Sequence, residues 1–75
     1  MAHYGEYIID YSMFVLVRAR YGYSIKYICE KTKMKRQTYY SIKNKKTIRA
    51  ETYNNIKNFV DDIKGIKIEE YTRKI

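Results

Sequence analysis

Five polar side chains near the middle of the chain share one side of a helix if each residue turns about 100°. They are Gln37, Tyr40, Ser41 and Asn44, with Arg36 at the edge of the group. Arginine can form two hydrogen bonds with guanine, and glutamine two with adenine, when a rigid helix carries them into a DNA major groove. We therefore predict base contacts from the first four along the chain: Arg36, Gln37, Tyr40 and Ser41.

The same residues have ordinary structural interpretations. Arg36 and Gln37 also suit the solvated first turn of any surface helix. Tyr40 also suits an exposed aromatic side chain or a contact with a protein partner. These alternatives stay open at the level of sequence.

Basic and polar residues flank the proposed base-reading side. Lysines and free backbone N–H groups commonly hold a recognition helix against DNA phosphates, which fixes its position without reading sequence. We predict phosphate-backbone contacts from five residues: Ser24, Lys35, Asn44, Lys45 and Lys46.

Positive charge is concentrated around this segment. The chain carries a formal net charge of +8, with 16 Lys and Arg against 8 Asp and Glu. Residues 31–49 contain eight of those 16 basic residues and no acidic residue. A dense line of phosphates attracts such a surface because bound lysines release condensed counterions. A solvated lysine surface from an AT-rich genome is the alternative, but it does not explain the missing acids.

Two short helices joined by a tight turn would position these side chains. The recurrence of apolar and small residues predicts a helix over 25–32, and Ser24 before it can cap a backbone N–H. A second helix over 36–44 would turn Tyr39 and Ile42 inward, opposite the polar side. Met34 is the apolar residue of the turn between them.

The rest of the chain predicts an all-α fold of four to five helices in one domain spanning 1–75. Apolar stripes at helical spacing predict helices over 6–21 and 50–64, with Gly22 and Gly65 at or near their C-terminal ends. Residues 14–17 could form a strand on composition alone. Residues 66–75 fit either a strand or a short helix.

Residues 24–46 resemble the helix-turn-helix of the lambda-repressor-like family, which includes Cro-type and XRE-type regulators. The residues that match its apolar framework are Ile28, Cys29, Met34, Tyr39 and Ile42. The resemblance covers roughly residues 11–63. It implies that helix 36–44 enters the major groove, that the protein binds double-stranded DNA, and that two copies act as a homodimer.

Four positions depart from the family pattern. Lys33 stands where glycine is usual, because the backbone there is left-handed, a geometry that costs a lysine about 1 kcal/mol. Ile25 replaces a glutamine that touches phosphate, and Lys35 replaces a capping serine or threonine. Lys43 replaces a glutamate that would pair with the arginine matching Arg18.

Two functions follow from the resemblance. The first is a sequence-specific transcriptional regulator of Cro or repressor type, of phage or mobile-element origin, acting on a palindromic operator. The alternative is a phage antirepressor, similar to modulators of repression, which binds a repressor protein instead of DNA. Exposed tyrosines at 27 and 40 and the departures from the family motivate this alternative; an antitoxin would combine both activities.

Other classes of protein find little support. The acidic residues do not converge in pairs, there is no phosphate-cradling glycine loop, and no nucleophile–histidine set is present, so we expect no enzyme. His3 lacks companion ligands and no cofactor or metal is expected.

We interpret the single cysteine, Cys29, as a small core residue of a cytoplasmic protein. No apolar run is long enough to cross a membrane. The ten tyrosines are scattered and do not form an RNA-stacking pair on strands.

Overall fold

Four helices and two short strands make up the computed structural model, which describes residues 6–75. The helices are α1 (Ser12–Tyr21), α2 (Ile25–Lys31), α3 (Arg36–Lys43) and α4 (Ala50–Asp61). The strands are β1 (Tyr7–Ile9) and β2 (Thr72–Lys74), and a 3-10 helix, Ile68–Tyr71, precedes β2. The fold is thus mostly helical, as predicted, with a small sheet that the all-α prediction lacked. The expectations for residues 1–5, including His3, lie outside the described residues.

The predicted helix over 6–21 is wrong at its start, where β1 lies instead. β1 pairs antiparallel with β2, with Tyr7 opposite Lys74 and Ile9 opposite Thr72. On its other edge, β1 is bridged by Ile48, whose N–H donates to the Tyr7 carbonyl at 2.8 Å. Local periodicity could not reveal this strand, because both its partners are distant in sequence.

Helix α1 begins after Asp10, whose Oδ1 accepts a hydrogen bond from the Ser12 N–H at 3.0 Å. This bond satisfies one of the N–H groups that a helix start leaves free. The bond lowers the pKa of Asp10, and the Ser12 hydroxyl and the charge of Lys45 lower it further. The helix ends at Gly22, which has a φ of 71° and donates its N–H to the Arg18 carbonyl. The predicted glycine stop is confirmed.

Helices α2 and α3 have the predicted positions, and each is one residue shorter than expected. The Ser24 hydroxyl accepts the Tyr27 N–H at 3.0 Å, which confirms the predicted cap of α2. In the turn, Lys33 has a φ of 56°, so a lysine does hold a left-handed position. Lys35 takes the cap position of α3 with no side-chain hydrogen bond to the helix.

Helix α4 ends three residues earlier than predicted. The N–H of Asp62 donates to the Phe59 carbonyl and that of Ile63 to the Val60 carbonyl, which are i to i−3 bonds of a tightening last turn. Gly65, with a φ of 85°, then redirects the chain. Each alternative for residues 66–75 is correct for part of that segment, which forms first a 3-10 helix and then a strand.

One apolar core connects all these elements. Its fully buried side chains, with exposed fractions of 1% or less, come from β1, the four helices and the 3-10 helix: Ile9, Met13, Phe14, Val17, Ile28, Tyr39, Ile42, Ile56, Val60 and Ile68. Thr32 is the buried polar residue among those described, and its hydroxyl donates to the Ile28 carbonyl at 2.7 Å. A buried hydroxyl with a partner avoids the cost of an unmade hydrogen bond.

Candidate functional site

Helix α3 has one buried side and one exposed side. Tyr39 and Ile42 are both 0% exposed, as predicted for the inward side. Arg36 and Gln37 are exposed, and Tyr40 retains 43% of its surface. The helix therefore presents three of the four predicted base-contact residues to the outside.

Ser41, the fourth predicted base-contact residue, is half-buried. Its hydroxyl donates a hydrogen bond to the Gln37 carbonyl of its own helix at 3.0 Å. A serine hydroxyl has one donor, so in this arrangement Ser41 offers an outside partner only acceptor sites.

The orientation of α3 is fixed by contacts around the Tyr39 ring. The ring packs edge-on against Phe14, with centroids 5.3 Å apart, and against Tyr11, with centroids 5.6 Å apart. The two tyrosine hydroxyls are hydrogen-bonded at 2.9 Å. Burial raises the pKa of Tyr39, and the Tyr11 hydroxyl raises it further, so the phenol stays neutral. Because Tyr39 is held from two sides, the opposite side of the helix has a defined direction.

The predicted phosphate-contact residues lie mainly at the two ends of α3. Lys35 stands at its start, and Asn44, Lys45 and Lys46 follow its last turn. Lys45 has a φ of 63°, and the Lys46 N–H donates to the Ser41 carbonyl at 2.9 Å, which holds this basic segment against the helix end. All four are exposed. The eight residues of α3 separate the two groups by roughly 12 Å.

Ser24 belongs to a different element, the start of α2. Its hydroxyl oxygen accepts the Tyr27 N–H as the cap of that helix, and its hydroxyl proton remains free to donate to an outside partner. Ile25, next in the chain, is half-buried and packs against the core. It cannot supply the polar side-chain contact that the family's glutamine makes.

A polar cleft beside α3 brings in residues that the sequence did not single out. The cleft has a volume of about 380 Å³ and lies between the turn before α3 and the start of α4. Lys33, Lys35 and Arg49 contribute three positive charges to its lining, and Thr38 contributes a hydroxyl. The sequence marks Lys33 as a departure in the turn and Arg49 as a member of the basic segment, but their shared location depends on the turn and on the loop before α4.

Few acids neutralise the α3 side of the molecule. Within residues 6–75, the ion pairs join Lys57 to Asp61 at 2.9 Å and to Glu69 at 3.8 Å, and neither involves the basic segment 31–49. The Nζ of Lys43 lies 5.8 Å from the centroid of the Tyr11 ring. Glu51 lines the cleft together with Lys33 and Lys35, and the charge of Lys45 acts on Asp10, so positive charge predominates around α3 but is interrupted by these two acids.

Cys29 is a buried thiol on the apolar side of α2. Burial raises the pKa of the Cys29 thiol, which keeps it protonated, and its side chain belongs to the core. Across residues 6–75, no three His, Cys, Asp or Glu residues are grouped so that they could hold a metal ion. No helix in this part of the chain has both the length and the apolar character to cross a membrane.

Comparison of the chain with families of known proteins, with individual characterised proteins and with solved structures finds no significant match. The function must therefore be inferred from the residues of α3 and their surroundings.

Proposed function

We propose that the protein is a sequence-specific DNA-binding transcriptional regulator of Cro or repressor type. In this proposal residues 24–46 form a helix-turn-helix, and α3 enters the major groove of double-stranded DNA. The observation that carries the proposal is the division of α3: Tyr39 and Ile42 are buried, while Arg36 and Gln37 project from the other side. A helix anchored in this way can hold side chains rigidly against base edges.

Each side chain on the exposed side has a role in this proposal. Arg36 pairs with guanine and Gln37 with adenine, each through two hydrogen bonds. Tyr40 packs against bases further along the groove, where its hydroxyl can also bond. Ser41 accepts a hydrogen bond from a base amino group, because its own proton is given to the Gln37 carbonyl.

Phosphate contacts at both ends of α3 would fix its register. Lys35 contacts one strand of the duplex, and Lys45 and Lys46 contact the backbone beyond the other end of the helix. Asn44 adds a hydrogen bond, and the backbone at Ser24 approaches a further phosphate.

We infer that two copies act together. A single recognition helix reads only a few base pairs, so a homodimer on a palindromic operator provides useful affinity and specificity. Such a regulator would act in the cytoplasm of a bacterium or a phage-infected cell. It would repress transcription by blocking polymerase access to the promoter.

A titration of mixed-sequence duplex DNA at several salt concentrations tests the proposal. Three lysines at phosphate contacts predict that the logarithm of the association constant falls with the logarithm of salt with a slope of roughly −3 per protomer. The variant that replaces Lys45 and Lys46 with glutamine should flatten the slope by about 2. Absence of measurable binding at low salt would contradict DNA binding.

The antirepressor remains the second candidate because two large aromatic side chains, those of Tyr27 and Tyr40, are exposed. Tyr27 and Tyr40 keep 37% and 43% of their surface, and such tyrosines are enriched in protein interfaces. This candidate binds a repressor protein and not DNA. A failed DNA titration combined with a defined complex on mixing with a phage repressor would favour it.

A further inference from the structure

Three tyrosines that are close in sequence have their rings in contact where α1 leads into α2. Tyr21 ends α1, Tyr23 lies in the following loop, and Tyr27 is in the first turn of α2. The rings of Tyr21 and Tyr23 are stacked, with centroids 5.4 Å apart and planes 16° apart. Those of Tyr23 and Tyr27 lie 4.5 Å apart at 38°. We call these three residues the tyrosine ladder.

The ladder rests on α4 and remains open to solvent. The middle ring, that of Tyr23, contacts Phe59 with centroids 6.0 Å apart. The outer rings are exposed, with Tyr21 retaining 43% and Tyr27 37% of their surface. Among residues 6–75, the ring contacts of Tyr39 and Tyr40 on α3 are with Tyr11, Phe14 and each other, so no ring contact joins the ladder to α3.

Two positive side chains touch the ladder. The Nζ of Lys31 lies 5.5 Å from the centroid of the Tyr27 ring, and the Nε of Arg18 donates to the Tyr23 carbonyl at 3.1 Å. Both side chains are exposed, and in the described chain neither pairs with an acid. Lys31 and Arg18 thus place positive charge beside the ladder.

The parts of the ladder that remain free to bind a partner are its hydroxyl groups and its ring edges. The Tyr23 ring already contacts the rings of Tyr21, Tyr27 and Phe59, and one face of Tyr27 lies under Lys31. Insertion of nucleic-acid bases between the rings would have to break these contacts. Within residues 6–75, the hydroxyl-to-hydroxyl bond between tyrosines joins Tyr11 and Tyr39, and the ladder hydroxyls have no protein partner. They can therefore donate to carboxylates.

We propose that the tyrosine ladder is a docking surface for an acidic segment of another protein. The Lys31 ammonium and the three ladder hydroxyls bind its carboxylates, and the ring edges contact an apolar side chain between them. Tyrosine and arginine are also the residue types that dominate binding energy at protein interfaces. A second copy is a poor occupant of this surface, because a ladder-to-ladder contact would bring the Lys31 and Arg18 charges of the two copies together.

The ladder can be tested on the full chain without a known partner. The probe is a short peptide of repeating Glu-Glu-Phe units, titrated into isotope-labelled protein and followed by NMR chemical shifts. Shifts should concentrate at Tyr21, Tyr23, Tyr27 and Lys31. The peptide with glutamine in place of every glutamate should bind at least about tenfold more weakly, because the charge pairing is lost.

Matched variants separate the ladder from general attraction to a basic protein. Tyr21→Ala combined with Tyr27→Ala should weaken the acidic peptide by about tenfold or more, whereas Tyr40→Ala, which removes an equally exposed ring, should leave binding unchanged. The double variant Lys45→Gln and Lys46→Gln should also bind as the original protein does.

Three outcomes would overturn the proposal. One is that the lysine double variant loses the peptide as strongly as the tyrosine variant, which means diffuse charge attraction. Another is that oligothymidylate binds at the ladder and excludes the peptide, which means a nucleic-acid surface. The third is that titration with the acidic peptide causes no change in the chemical shifts of Tyr21, Tyr23, Tyr27 and Lys31. None of these outcomes bears on DNA binding by α3, which the duplex titration tests separately.

Discussion

Single residues with unusual backbone or hydrogen-bonding geometry are the positions at which a substitution most easily changes the stability of this chain. Lys33 has a φ of 56° in the turn before α3, and Lys45 has a φ of 63° after it. Left-handed geometry strains any residue with a β-carbon, and the chain contains such a residue on each side of the helix that carries the candidate site. The strain at Lys33 could be expected from the resemblance, while that at Lys45 had no sequence signal.

Lys33→Gly should stabilise the protein. Glycine adopts the left-handed geometry without the β-carbon clash, so we expect the free energy of unfolding to rise by about 1 kcal/mol. Urea unfolding measures the change. Lys33→Ala is the control, because it removes the same charge and keeps the strain; an equal gain from alanine would mean that charge and not backbone geometry is responsible.

Asp10 should make the start of α1 sensitive to acid. The Ser12 N–H lowers the pKa of Asp10 below its ordinary value of 3.8, so the folded state favours the charged carboxylate. A lowered pKa contributes stability that is present above pH 3.8 and is lost as the pH falls through the folded value. Asp10→Ala should therefore lower the melting temperature at neutral pH, and the difference should shrink below pH 3.8. A difference that is constant across this range would exclude the charged hydrogen bond as its cause.

At the scale of elements, sequence periodicity predicted those helices whose positions depend on contacts between residues close in sequence. Helices α2 and α3 lie where helical periodicity placed them, because their apolar residues face one shared core. Helical spacing wrongly places the residues of β1 in a helix, because the partners of β1, namely β2 and Ile48, lie far along the chain. Three of the predicted base-contact residues do share an exposed side of α3. The cleft lined by Lys33 and Arg49 could not be predicted, because it depends on the path of the loop before α4, which sequence periodicity does not encode.

Lys35→Ser should move stability and DNA binding in opposite directions. The backbone of Lys35, with φ −79° and ψ 156°, already has the geometry of a helix cap, but its side chain makes no capping bond. Serine would accept a helix N–H and raise the free energy of unfolding by about 1 kcal/mol. It would also remove a phosphate contact and weaken binding to all duplexes alike.

Lys35→Ala separates the two effects, because alanine removes the lysine without adding a cap. It should weaken DNA binding as serine does and give no gain in stability. Calorimetry and duplex titration on both variants provide the comparison. Unchanged DNA binding in both would remove Lys35 from the set of phosphate contacts.

At the scale of the whole molecule, the sheet joins the two ends of the described chain. The N–H of Ile75 donates to the Glu6 carbonyl at 2.7 Å, and Tyr7 stacks on Tyr53 of α4 with centroids 4.2 Å apart. These contacts tie both ends to the helical body on which α3 is anchored. In the proposed complex, the helical body and the basic segment 31–49 hold the protein in register on the DNA, and α3 contacts the bases. A second copy does the same at the other half of the palindromic operator.

The most direct test of that division compares Gln37→Ala with Lys46→Ala on two duplexes. One duplex is a site selected from random DNA by the original protein, and the other is the same site scrambled. Gln37→Ala should cost about 1–3 kcal/mol of binding free energy on the selected site and almost nothing on the scrambled one, while Lys46→Ala should weaken both equally. If Gln37→Ala affects the two duplexes to the same extent, α3 does not read bases through Gln37 and the account is contradicted.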